Sequence, residues 1–159
     1  MVHVIKCTQR IPVSVDKAWS FFSSPANLKE ITPANMGFDI TSDLYEGKMY
    51  PGQIIEYRLK LLGGIKVYWM TEITHVEENR FFVDEQRFGP YAMWHHQHHF
   101  VPIEGGVEMT DIVHYKIPWG PLGSIAHAFY VKKQLDHIFS HRFQKIETIF
   151  GPFTYLHNA

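Results

Sequence analysis

Three stretches of this chain carry the side chains best able to do chemistry. Phe82-Val83-Asp84-Glu85-Gln86 places a carboxylate and an amide on alternate positions. Trp94-His95-His96-Gln97-His98-His99-Phe100 holds four imidazoles. Asp111 and Tyr115 lie on a third run. Side chains in a strand alternate between two faces, so each run divides into two sets. One face takes Phe82, Asp84 and Gln86, then Trp94, His96, His98 and Phe100. The other takes Phe81, Val83, Glu85 and Arg87, then Met93, His95, Gln97 and His99. The first set mixes large apolar groups with carboxylate, amide and imidazole in mid-strand. Turned inward, it describes a cavity wall with polar contacts.

Such a set supports three kinds of chemistry. Apolar walls with a few polar groups bind and orient a small molecule. A buried Asp beside a His can have shifted pKa values and move a proton; the pairs to test are Asp84–His96 and Asp111–His98. A His-x-His pair with Asp84 or Asp111 offers three metal ligands. Against all three stands a self-satisfied internal network of His, Asp and water. Burying several ionisable groups is costly unless each is paired, which favours the pocket. The metal reading is the weaker one. HHQHH splits between faces, and cupin-like spacing fails by one residue on each side, Gly89 lying seven before His96 and Glu104 six after His98. The expectation is polar lining, with no metal and no cofactor. No nucleophile elbow, Cys–His pairing or phosphate loop is present, and Cys7 reads as a structural thiol.

These residues need a sheet and a cover. Val2–Arg10 reads as a strand. A helix starts at Asp16, with Val15, Trp19 and Phe22 at helical spacing, and a second short helix spans Asn27–Ile31. Met36–Thr41 reads as another strand. Gln53–Leu62 and Ile65–Glu77 alternate apolar and polar around Gly63-Gly64, a hairpin signal. The two runs within Arg80–Phe100 turn at Gly89-Pro90, and Val107–Ile117 follows. From about Leu122 to Phe150 the period becomes helical: Leu122, Ile125, Ala126, Phe129, Leu135, Ile138, Phe139, Phe143, Ile146 and Ile149 form an apolar stripe. His127, Lys132, Lys133, His137, His141 and Arg142 line the opposite side, read as a solvated face. Sequential hairpins make an antiparallel sheet whose apolar face must be covered, and only the last helix is long enough.

A chain of 159 residues is expected to form one domain, residues 1–159. Fifteen basic against sixteen acidic residues leave a charge of −1, which argues against a nucleic-acid partner. One cysteine excludes an internal disulfide. The start MVHVIKCTQRI has no apolar core of a signal peptide, and no apolar run is long enough to span a bilayer. The expected setting is the cytoplasm, as a monomer or homodimer.

The layout resembles the helix-grip fold of the START-related, Bet v 1-like and polyketide-cyclase-like superfamily (SRPBCC). Ile11-Pro12 followed by Val15, Ala18, Trp19 and Phe22 is similar to that family's opening segment. Ser24-Pro25-Ala26-Asn27-Leu28, Ile31-Thr32-Pro33, Phe82–Gln86 with Gly89-Pro90-Tyr91, Trp94-x-His96-x-His98-x-Phe100, Asp111, Tyr115 and Pro118 resemble one bacterial branch described as ligand-binding. The resemblance implies an α+β class: a curved antiparallel sheet of about six to seven strands wrapped on a long C-terminal helix, with two short helices after the first strand. It also implies a cavity between sheet and helix. The expected function is binding a small hydrophobic, aromatic or lipid-like ligand there. Tyr57, Trp69, Thr71, Phe82, Trp94, Phe100 and Phe139 form the wall, and Asp84, Gln86, His96, His98, Asp111 and Tyr115 the polar anchors. Two rivals stand beside it: a small cyclase or dehydratase using Asp84, His96, His98 or Asp111, and a partner-binding protein with a vestigial cavity.

Overall fold

The computed structural model describes residues 1–42, 48–61, 64–118, 120 and 130–154. In chain order these form β1 (His3–Ile11), α1 (Val15–Phe22), α2 (Pro25–Leu28), a 3₁₀ turn (Ala34–Met36), β2 (Asp39–Ile40), β3 (Ile54–Leu61), β4 (Ile65–Glu77), β5 (Phe81–Phe88), β6 (Met93–Ile103), β7 (Gly106–Lys116) and α3 (Lys132–Phe150). The strands make one curved antiparallel sheet in the order β1-β7-β6-β5-β4-β3-β2. All neighbours from β2 to β7 are sequential hairpin partners, and β1 closes on β7 with His3 opposite Tyr115 and Ile11 opposite Val107. Two glycines sit where a side chain would be crowded, Gly106 by backbone and Gly89 by the Gln86 side chain. A Cβ on Gly106 would lie 2.1 Å from the Ile11 carbonyl oxygen, and one on Gly89 2.3 Å from Gln86 Oε1.

The strand alternation holds as expected. Ile55, Tyr57 and Leu59, Trp69, Thr71 and Ile73, and Val107, Met109, Asp111, Val113 and Tyr115 are buried on the concave face. Register shifts in β4 between Met70 and Thr71 and between Ile73 and His75 bend this strand. The expected strand Met36–Thr41 shrinks to Asp39–Ile40, because Ala34–Met36 turns as a 3₁₀ helix and Gly37 follows at φ 52°. Helix α1 is capped by Ser14, whose Oγ accepts the Lys17 N–H at 3.3 Å. It buries Ala18, Trp19 and Phe22 against one end of the sheet, with Trp19 edge-on to Phe82 and Phe100. Asn27 Nδ2 donates to the Phe21 carbonyl and holds α2 against α1.

Helix α3 covers the concave face, but its buried side differs from the expected stripe. Leu135, Arg142 and Ile146 are its buried residues, whereas Phe143 is 42% exposed and Ile149 39%. The inward residues 135, 138, 139, 142 and 146 follow helical spacing, and position 142 on that face is an arginine. A charged residue on the buried side shows that an apolar-only rule misplaces one face of this helix. Burying Leu135 and Ile146 contributes roughly 1.5–3 kcal/mol each. Leu122, Ile125, Ala126, Phe129 and His127 lie outside the described residues.

Candidate functional site

The site is built by register. In β5 and β6, Asp84 stands opposite His96 and Phe82 opposite His98; in β6 and β7, His98 stands opposite Asp111 and His96 opposite Val113. Three adjacent strands thus deliver two carboxylates and two imidazoles to one patch of the concave face. The hydrogen bonds run diagonally rather than between the expected pairs. His98 Nε2–H donates to Asp84 Oδ2 at 2.9 Å, and His96 Nε2–H donates to Asp111 Oδ1 at 3.2 Å. The same-register atoms are also close: His96 Nδ1 lies 3.5 Å from Asp84 Oδ2 and His98 Nδ1 2.8 Å from Asp111 Oδ1. The latter contact is off the direction a hydrogen bond needs, leaving His98 Nδ1 buried without a partner. Ring centroids of His96 and His98 are 3.8 Å apart, and Phe82 stacks on His98 at 4.1 Å.

Arg142, absent from the expected site, completes the group. Its Nη2 reaches Asp111 Oδ1 at 3.4 Å, its guanidinium lies over the Phe22 ring, and its Nε is buried with no hydrogen-bond partner. Burial favours neutral forms throughout. For Asp111 it is outweighed by the Arg142 charge, the hydrogen bond from His96 and the close His98 imidazole, which hold the carboxyl well below its usual range. Asp84 is also lowered, against burial, by His96 and by the hydrogen bond and charge of His98. Burial would lower His98, but its two carboxylate partners raise it; for His96, burial and the neighbouring His98 win, and it is lowered. The Arg142 guanidinium offsets one of the two carboxylate charges, and His96 and His98 each give a carboxylate a hydrogen bond. That pairing makes so polar a cluster tolerable in a core.

Above this cluster lies a cavity of about 200 Å³ between the sheet, α1, α2 and α3. Among the expected residues, Tyr57, Trp69, Thr71, Phe82, Asp84, Trp94, His96, His98 and Phe139 line it. Gln86, Phe100, Asp111 and Tyr115 do not. Gln86 clamps the β5–β6 turn, donating Nε2–H to the Tyr91 carbonyl at 2.7 Å and accepting the Tyr91 N–H on Oε1 at 3.2 Å. Phe100 packs in the core under Trp19 and Phe22. Asp111 sits behind the two histidines. Tyr115 packs with Val113, Val131 and Leu135. Lining residues that strand alternation did not reveal include Leu28, Met36, Phe38, Tyr91, Ile138 and Arg142. They come from helices and loops, where no period-two signal exists. On the cavity floor, Thr71 Oγ1 lies 2.9 Å from Tyr57 OH and accepts Trp69 Nε1–H at 3.1 Å. Asp84, His96 and His98 each offer an atom to a metal ion, these atoms lying within 4.8 Å of one another.

No family model and no curated protein matches the sequence. Solved structures do match. Protein Ms6760 from Mycobacterium smegmatis superposes with a TM-score of 0.66 at 17% identity, covering 92% of this chain and 89% of that one. Ara h 8.0201 gives 0.66 at 18% identity, covering 94% and 98%. Ginseng major latex-like protein 151 from Panax ginseng gives 0.67 at 16% identity, covering 95% and 99%. The fold is the Bet v 1-like helix-grip fold. Within that Bet v 1-like frame the four-residue His/Asp patch and the inward Arg142 are features of this chain's own residues. A fold does not assign a function, so function is argued from them. Among the described residues no helix is long and apolar enough to cross a membrane.

Proposed function

We propose that this protein binds one small, largely apolar molecule carrying a carbonyl or carboxylate, held in the cavity between the sheet and α3. The observation that carries this reading is the cavity itself: about 200 Å³, walled mostly by aromatic and aliphatic side chains, with Asp84, His96, His98 and Arg142 as its ionisable lining. An engineered apolar cavity of roughly 150 Å³ takes benzene, so this volume suits a single ring or a short acyl chain. The ionisable lining supplies a donor to an acceptor group. Arg142 Nε–H is buried and unpartnered. Binding proteins are general among Bet v 1-like folds, which agrees with this reading.

Native mass spectrometry of gently purified protein, followed by thermal shift with single-ring aromatic acids and short straight-chain fatty acids, tests it. A co-purifying small molecule, or a rise in Tm with one acid series, is expected. Ile138→Trp, which fills the cavity from α3, is expected to abolish the shift. Arg142→Met is expected to weaken acids more than their neutral analogues. A clean apo mass together with no shift from either series overturns the proposal.

A further inference from the structure

Geometry at the ionisable lining of the cavity points to a second use: we propose that Asp84, His96 and His98 form a binding site for one divalent first-row transition-metal cation, with Asp111 positioning both imidazoles. This goes beyond the ligand reading and does not rest on it, since a cation bound there needs no occupant in the cavity.

The ligand atoms converge. His96 Nδ1 and His98 Nε2 both face Asp84 Oδ2, at 3.5 and 2.9 Å. A metal bound at about 2.0–2.2 Å by imidazole nitrogen and carboxylate oxygen sets its ligands about 3.0 Å apart at right angles and about 3.4 Å apart in a tetrahedron. The two separations from Asp84 Oδ2 bracket that interval, and all three ligand atoms lie within 4.8 Å of one another. Among the described residues this is the one set of three such side chains whose ligand atoms lie within 4.8 Å of one another.

The outer hydrogen bonds are arranged as a metal site requires. A ligating histidine ordinarily gives its second nitrogen to a carboxylate or carbonyl, which fixes the ring and the tautomer. Here one oxygen, Asp111 Oδ1, serves both rings: it accepts His96 Nε2–H at 3.2 Å and lies 2.8 Å from His98 Nδ1. That contact is misaligned as the ring now stands; a cation on Nε2 displaces the proton there, and the ring then carries its N–H on Nδ1, the nitrogen beside Asp111. With Nε2–H committed to Asp111, His96 presents an Nδ1 lone pair toward the Asp84 carboxylate. Acceptor then faces acceptor, and a cation between them resolves the opposition. Arg142 beside Asp111 keeps that carboxylate from acting as a competing ligand. Asp84, His96 and His98 all line the cavity, whereas Asp111 does not. The remaining coordination positions therefore open toward the cavity, where water or a ligand oxygen can take them. Two imidazoles and one carboxylate suit Zn²⁺, Fe²⁺ or their neighbours rather than Ca²⁺ or Mg²⁺.

The test uses full-length protein without an affinity tag, stripped with EDTA and titrated calorimetrically with ZnCl₂. One Zn²⁺ per chain is expected. Asp84→Asn, close in shape, is expected to remove this binding. Asp111→Asn, a change outside the coordination sphere, is expected to weaken it by roughly 10–100-fold. His95→Gln and His99→Gln, on the opposite face, are expected to leave it unchanged. No stoichiometric binding, or undiminished binding in a folded Asp84→Asn protein, overturns the proposal. If Asp84→Asn fails to fold, X-ray absorption on Zn²⁺-loaded wild type decides instead. A shell of two imidazoles with oxygen supports the site; one imidazole or none overturns it.

Discussion

Strand β6 carries two pairs of histidines, and comparing them separates residue type from surroundings. On the concave side His98 bonds Asp84 at 2.9 Å; on the convex side His95 Nδ1 lies 2.8 Å from Glu85 Oε1. Both sides carry a second link. His96 donates to Asp111 within, and His99 Nε2 bonds Gln97 Oε1 at 3.0 Å without. Lengths and chemistry nearly coincide. Surroundings do not: side-chain exposures are 7% and 16% for His98 and Asp84, but 25% and 29% for His95 and Glu85. Water beside the outer pair screens its attraction and solvates each charge separately. Inside, each charge depends on the others. The same pattern of residues is therefore a surface decoration on one side and a coupled charge cluster on the other.

The largest test of this difference removes one charge from inside. Asp111→Ala strands Arg142 in the core, and breaking a buried pair this way costs roughly 3–5 kcal/mol. Urea denaturation measures it. Replacing both charges, Asp111→Leu with Arg142→Met, is expected to recover most of the loss, because a well-packed apolar pair avoids the desolvation cost. A double variant no more stable than Asp111→Ala would show that the arginine is not what the carboxylate supports. The outer counterpart, Glu85→Gln, is expected to cost less than about 1 kcal/mol.

Hydroxyl pairs give an intermediate effect. Thr71 on the cavity floor bonds both Tyr57 and Trp69, all three buried. Thr71→Val keeps the shape but leaves a phenol and an indole N–H without their partner, a loss of about 2 kcal/mol. Thr110 bonds Thr8 at 3.0 Å on the convex side, in contact with water. Thr110→Val is expected to change stability by less than about 0.5 kcal/mol. Equal losses at the two positions would remove the distinction between the faces.

How far the sequence carried depended on which signal was available. Strands announced themselves because period-two alternation is strong in β3, β4 and β7, and the inward set Phe82, Asp84, Trp94, His96 and His98 was legible from the same rule. Alternation gives a face, however, and not a depth along it. Phe100 and Asp84 share the concave side, yet α1 covers Phe100 and leaves Asp84 in the cavity wall. Asp111 has the right face but lies behind His96 and His98. Gln86 was drawn to the turn by the Tyr91 backbone, a local contact that strand pattern cannot express. Arg142 was missed for a different reason. Its aliphatic stem and its position over Phe22 allow a guanidinium into an apolar face, and only its partner Asp111, distant in sequence, makes that burial favourable. The diagonal bonding followed from side-chain lean, which register alone does not contain.

The smallest effect concerns the first strand. Cys7 stands opposite Asp111 on β1, on the concave side, while Thr8 faces the convex side. Burial raises the Cys7 thiol above its ordinary 9.0, and the Asp111 charge raises it further, with Arg142 opposing. A raised thiol holds its proton in the folded state after the unfolded chain has lost it. Stability should therefore fall as pH rises above 9.0. Alkylation reads the same shift directly, because the thiolate is the nucleophile. The rate of iodoacetamide modification of Cys7 is expected to have its midpoint above pH 9.0. In a Cys7→Ser background, Thr8→Cys on the opposite face is expected to titrate near the ordinary 9.0. Asp111→Asn is expected to move the Cys7 midpoint down, since a repulsive charge has gone. Identical midpoints at positions 7 and 8 would show that the field of the charge cluster does not reach β1, and would confine the difference between the faces to β5, β6 and β7.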